Sequence, residues 1–182
     1  MVDLPKDSYD TKLKAYKNSY KFISTSLADL IKIEIGTNNF DIAEHLIKKN
    51  IPLCAHIGLL PQTIKSRSGF RKYGKSKNEA KQLYDLAITL DKLGAKVILI
   101  ECLENSLARK ISQNCSAPVI GIGSGSGIDG QVAVIYDLLG ISFNKIDRFI
   151  VNDKISLDKQ IAMFIKKLKS VSYTHLRAHE TQ

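Results

Sequence analysis

Four ionisable side chains sit where this sequence alternates or ends an apolar run, and chemistry is sought there first. Lys32-Ile33-Glu34 lies in a run whose alternate positions are Ile31, Ile33 and Ile35, so Lys32 and Glu34 project from one face of a strand. A charged pair turned into a parallel sheet is costly unless a partner, a metal or a substrate neutralises it, whereas on an edge strand it is simply solvated. Glu101 closes the run Val97-Ile98-Leu99-Ile100, which sets a carboxylate at the carboxyl end of a buried strand. Burial raises a carboxylate's pKa towards the range a general acid or base needs; the alternative role there is to cap the next helix. His56 stands at the matching end of Ile51 to Ala55 and is followed by Gly58, which permits close backbone approach. A single histidine so placed is more often a satisfied structural residue than a functional one.

Two further patterns carry weaker signals. The stretch Gly121 to Gly130 is glycine-rich, and Gly125 to Gly130 spells G-x-G-x-x-G between a strand and an expected helix. A dinucleotide fingerprint normally opens its domain, and this one comes late, so the choice lies between backbone N–H groups that hold an anion and a tight turn. His175 and His179 have the i, i+4 spacing of a helical metal pair, but Leu176 stands where the zincin pattern needs glutamate. Cys54, Cys102 and Cys115 are widely spaced without a C-x-x-C pair and read as buried thiols.

These residues need elements to hold them, and the chain supplies a repeated alternation of short apolar runs with amphipathic stretches. That rhythm is the pattern of a parallel sheet wrapped by helices. Strands are expected at Leu30 to Ile35, Ile51 to Ala55, Val97 to Ile100 and Val119 to Ile122, with Met1 to Leu4 the end of another. Helical spacing runs over Asp10 to Leu27, Asn39 to Lys48, Lys77 to Leu93, Ser106 to Gln113, Gln131 to Leu139 and Ser156 to Leu168, with Gly94 placed to stop the third. Four strands and a partial one are too few for a closed eight-stranded barrel, which takes about 250 residues. The first residue already lies at a strand end, so an incomplete barrel is expected rather than an open fold.

Composition excludes several classes. The 182 residues suffice for one domain; the hydrophobic fraction is 44% and the charged fraction 25%, and no apolar run approaches bilayer length. Residues 1–171 read as one partial barrel domain. Residues 172–182 break with it, resemble translated adapter sequence, and are expected to be a non-native disordered tail. The net charge of +9 comes from lysines spread along the chain, not from clustered arginine among aromatics, so no nucleic-acid partner is expected. No membrane association is expected either, and a start without basic and apolar signal segments points to the cytoplasm.

In motif order and spacing the stretch from Val2 to about Lys169 resembles the ketopantoate hydroxymethyltransferase family. Asp3-Leu4-Pro5 is similar to its D-L-P, Lys32-Ile33-Glu34 to its K-[IL]-E, and His56-Ile57-Gly58-Leu59 with Pro61-Gln62 to its G-H-[IL]-G-L-T-P-Q. Glu101-Cys102 resembles its E-[CG], Pro118 to Gly125 its P-V-I-G-I-G-A-G, Asp129 to Val132 its D-G-Q-[VI], and Asp137 to Gly140 its D-[LM]-[LF]-G. Ala55 and Leu60 depart from the pattern beside the histidine motif, near the expected substrate end. In the loop Ser68 to Lys75, Tyr73 stands where glutamine is usual.

The resemblance implies a (β/α)8 TIM barrel of the phosphoenolpyruvate-mutase-like superfamily, lacking its first two strand-helix units and oligomeric in the full-length family. It implies Mg2+, a 2-oxo acid substrate and 5,10-methylenetetrahydrofolate as carbon donor. It assigns the metal to Asp3 and Glu34, the substrate to Lys32, Asp3 and His56, and the general base to Glu101. The base removes the C3 proton of 3-methyl-2-oxobutanoate while the chelating cation stabilises the enolate, which attacks the folate-derived methylene to give 2-dehydropantoate, a pantothenate precursor. The absent units carry an Asp-Ser pair that contributes to the site, so the chain alone need not be active. The alternatives are a non-catalytic barrel fragment that binds a 2-oxo acid, or a related superfamily lyase or mutase.

Overall fold

A computed structural model describes residues 1–64 and 69–134, together with positions 158, 159, 161–163, 165 and 166. Strands and helices alternate as β1 (Val2–Asp3), α1 (Lys12–Ser24), β2 (Ile31–Glu34), α2 (Phe40–Lys48), β3 (Leu53–Gly58), α3 (Lys77–Leu93), β4 (Val97–Glu101), α4 (Asn105–Ser112), β5 (Val119–Ile122) and β6 (Gly130–Gln131). All neighbouring pairs are parallel and the order in the sheet is that of the chain, β1 to β6. A doubly wound sheet reverses its strand order at a switch point; this one never does, which is the winding of a (β/α) barrel.

The helices begin and end where side chains supply what the backbone lacks. Thr11 caps α1 by accepting from the Lys14 N–H, and Ser76 caps α3 by accepting from that of Glu79. Gly94 ends α3 in the left-handed conformation, φ 105°, as its position in the sequence predicts. α2 and α3 match the expected spans to within a residue, α4 lies one residue early, and α1 begins two residues later and ends three earlier than Asp10 to Leu27.

Alternate strand residues build one core. Ile31, Ile33, Leu53, Ala55, Ile57, Ile98, Ile100 and Val119 pack with Ile42 and Leu46 of α2, Ala87 and Leu90 of α3 and Leu107 and Ile111 of α4. Most of these side chains lose all contact with water, each worth about 1.5–3 kcal/mol if aliphatic and fully buried. Ala55 belongs to this core, so its departure from the family pattern falls on the helix side of the sheet and not near the substrate end.

Three expectations differ from the structure. β3 begins and ends later than Ile51 to Ala55, because Pro52 cannot donate to a ladder, and His56 therefore lies within the strand. Gln131 belongs to β6, paired through Gly121, instead of opening a helix; residues 135–139 lie outside the described residues. Cys54 and Cys102 are buried as expected, but Cys115 is only half-buried. Asp137 to Gly140, Ser68, His175, His179 and the 172–182 tail also lie outside the described residues, as does part of the Ser156 to Leu168 helix, whose described positions are helical.

Candidate active site

The face of the sheet opposite the helices carries charged side chains among apolar ones such as Leu99 and Ile122, and inter-strand register arranges the charges as a staircase. Asp3 is level with Lys32, Glu34 with His56, and Gly58 with Glu101, each level two residues further towards the carboxyl ends. In parallel strands residues in register share a face, so all five sequence candidates come together on one surface. This answers the choice left open for Lys32 and Glu34: the pair is turned inward and partnered.

On the first step Lys32 Nζ lies 2.7 Å from Asp3 Oδ1, with the lysine side chain 13% exposed and the aspartate 46%. On the second step Glu34 is buried, and its Oε1 accepts the Gln62 backbone N–H at 2.9 Å. Its Oε2 is buried with no hydrogen-bond partner. Desolvation, only partly offset by that N–H and by nearby His56 and Lys32, raises the Glu34 pKa above its ordinary value. An unpartnered buried carboxylate oxygen is a costly group unless something positive or protic meets it.

On the third step Glu101 Oε2 lies 3.2 Å from His56 Nε2, both side chains buried. The approach is not aligned as a hydrogen bond, and neither His56 nitrogen has a hydrogen-bond partner. His56 is thus not the satisfied structural histidine that its sequence position alone favours. Glu101 does not cap α4 either: the capping position is Glu104.

Close backbone packing fixes Glu101. Gly58 has φ 95°, and a Cβ there would fall 2.4 Å from the Glu101 carbonyl oxygen and 2.3 Å from Leu103 Cδ1. That same carbonyl accepts the Leu59 N–H at 2.9 Å. Cys102 turns the chain at φ 54°, a conformation a non-glycine residue adopts only when its surroundings enforce it. Its N–H donates to Ile122 and its carbonyl accepts the Tyr73 N–H, both at 2.8 Å.

The segment 69–74 is latched across this end. Lys72 Nζ donates to the carbonyls of Leu103 and Gly123 at 3.1 and 2.7 Å, and the Tyr73 hydroxyl donates to the Gly69 carbonyl at 2.9 Å. The Arg71 guanidinium lies over the Tyr73 ring, 4.2 Å from its centroid, and pairs with Glu79, which also accepts the Gly74 N–H at 2.7 Å. Tyr73 in the glutamine position therefore serves the latch. The glycine-rich stretch is a tight turn: side chains at Gly125 and Gly127 would strike Asn105 and Arg109 of α4, and β6 follows it.

Sequence reasoning assigned no role to Gln62 or Lys72, although both lie in motifs it quoted, and it passed over Tyr9. The Tyr9 hydroxyl donates to Gln62 Oε1 at 3.4 Å, and burial followed by the Glu34 charge pushes its pKa up to about 12. Nothing in the local sequence around Tyr9 signals this.

Among the described residues no group of three or more His, Cys, Asp or Glu side chains is placed to hold a metal ion. No described helix is long and apolar enough to cross a membrane.

Residues 1–174 match the family model described as ketopantoate hydroxymethyltransferase. The chain is 40% identical over 176 residues to 3-methyl-2-oxobutanoate hydroxymethyltransferase of Buchnera aphidicola subsp. Schizaphis graminum, covering 95% of this chain and 66% of that relative. Relatives of the same name from Aliivibrio fischeri (strain MJ11) and Vibrio cholerae (strain M66-2) are 40% and 34% identical, covering 84% and 97% of this chain and 57% and 67% of their own lengths. The chain thus spans about two thirds or less of the first of these curated relatives. A match over nearly the whole chain, on a sheet wound as a (β/α) barrel with its charges on one face, means that this chain belongs to the ketopantoate hydroxymethyltransferase family.

Proposed function

We propose that this chain carries the catalytic face of an enzyme that transfers the one-carbon unit of 5,10-methylenetetrahydrofolate to 3-methyl-2-oxobutanoate, with water supplying the hydroxyl oxygen and tetrahydrofolate leaving, to yield 2-dehydropantoate for pantothenate synthesis. The observation that carries the reading is the staircase itself: two carboxylates and a lysine at one end, a histidine and a carboxylate at the other, on adjacent strands. The names of the relatives support the acceptor and the group transferred, and the folate donor is what the family resemblance implies.

The roles follow from what each group can do. Asp3 and Glu34 suit Mg2+, a hard cation that takes one or two carboxylates and completes its shell with water and substrate. The donorless, buried Glu34 Oε2 fits such a cation. When bound, Mg2+ would polarise the keto oxygen and stabilise negative charge building on it. Lys32, whose ammonium has three donors of which Asp3 engages one, pairs with the substrate carboxylate. Glu101 takes the C3 proton, leaving that carbon to bond with the folate-derived methylene. His56 lends a buried nitrogen to a substrate oxygen and thereby gains the partner it lacks. By family resemblance, the setting is the cytoplasm and the assembly a homo-oligomer.

The test is Mg2+-dependent consumption of 3-methyl-2-oxobutanoate with methylenetetrahydrofolate, by this chain and by one extended at its amino end with the additional strand-helix units of a longer relative. Glu101→Gln in whichever form is active should lower turnover by about 10²–10⁴-fold with the fold intact. A folded, extended protein without activity, or one whose activity survives Glu101→Gln, would contradict the assignment.

A further inference from the structure

Gln62, in the loop after β3, reaches back across β2 to β1 and touches both carboxylates of the first two steps. Its backbone N–H donates to Glu34 Oε1 at 2.9 Å, and its side-chain Nε2 donates to the Leu4 carbonyl at 3.2 Å and to Asp3 Oδ1 at 3.4 Å. Its Oε1 accepts the Tyr9 hydroxyl at 3.4 Å. The amide orientation follows from these partners: the donor end meets two acceptors and the acceptor end meets a phenol, and flipping it would set oxygen against oxygen.

The choice of a neutral residue matters. Asp3 and Glu34 repel each other, and a lysine or arginine in place of Gln62 would hold them together only by cancelling their charge. Gln62 gives each carboxylate a donor without adding a second positive charge to that of Lys32, which already pairs with Asp3 Oδ1 at 2.7 Å. We infer that Gln62 is a positioning residue that fixes the relative placement of Asp3 and Glu34 for a divalent cation, with Tyr9 anchoring its far end. This rests on the cation reading proposed above.

The experiment is titration of the whole chain with Mn2+, following the free ion by its electron paramagnetic resonance signal, for wild type, Gln62→Met, Tyr9→Phe and Glu34→Gln. Methionine keeps the length and the backbone N–H of Gln62 and removes only the side-chain hydrogen bonds. Gln62→Met should bind Mn2+ about 10–100-fold more weakly, the range for partners that orient metal ligands, with the melting temperature of the metal-free protein nearly unchanged. Tyr9→Phe should shift affinity in the same direction by a smaller factor, and it carries the test if Gln62→Met does not fold. Wild-type affinity in Gln62→Met, or in Tyr9→Phe where that variant stands in, together with a loss in Glu34→Gln overturns this inference alone. A wild type that takes up no Mn2+, or a Glu34→Gln variant that binds as well as wild type, overturns the cation reading and this inference with it.

Discussion

The two faces of one sheet share the same strands and differ in almost everything else. On the helix side, Ile31, Ile33, Leu53, Ile57, Ile98 and Ile100 are sealed from water and need nothing but shape. On the other side, one residue away along the same strands, stand Lys32, Glu34, His56 and Glu101, with two buried groups whose hydrogen-bonding capacity is unmet. The period of two in a strand makes this possible without conflict, since neighbours along the chain never share a face. Stability is concentrated on one face, and the other is free to hold groups that cost stability until a ligand meets them.

Substitutions on each face can break or sharpen that contrast. The largest expected effect on stability is that of Ile33→Ala, which empties a fully buried site and should cost about 2–5 kcal/mol in denaturant unfolding. A loss well under 1 kcal/mol would mean the helix face is not the principal core. Next comes Gly58→Ala, where a left-handed backbone and contact with the Glu101 carbonyl combine. We expect a loss of about 2–4 kcal/mol, measured by thermal melting, which would make Gly58 the exception on the polar side.

The smallest effect, and the most telling, is that of Glu34→Gln. Because the folded pKa of Glu34 is raised above its ordinary 4.5, its stabilising contribution is complete below about pH 4.5 and is lost as pH rises through the folded value. The glutamine variant lacks that loss. It should therefore equal or exceed wild type in stability above pH 4.5, by on the order of 1 kcal/mol, and lose Mn2+ binding. Chemical denaturation at pH 4 and pH 7 checks this; a variant less stable than wild type at pH 7 without metal would mean that the carboxylate already has a partner.

Much of this was legible in the chain. The isoleucines flanking Lys32 and Glu34 announced a strand with both charges on one side, and the run before Glu101 placed it at a strand end. Gly94 stopped α3 at the observed residue. The boundaries of β3 were less legible, because Ile51 and Pro52 continue the apolar run without joining the ladder. The start of the helix expected from Gln131 was less legible for a related reason: residues after a glycine turn suit a short strand as well, and pairing with β5 put Gln131 in β6. His56 read locally as structural; only its neighbours reveal that both nitrogens lack partners.

The sequence by itself determined where most strands and helices lie and which side chains face together along each strand, since these depend on periods of two and 3.6 and on local caps. Tertiary structure alone decided which charges meet. Gln62 reaches Glu34 across 28 residues and Asp3 across 59, and the level of His56 beside Glu34 depends on inter-strand register, to which no local pattern is sensitive. Register is set by the packing of the helices on the far face, so the apolar side of the sheet decides the geometry of the polar side.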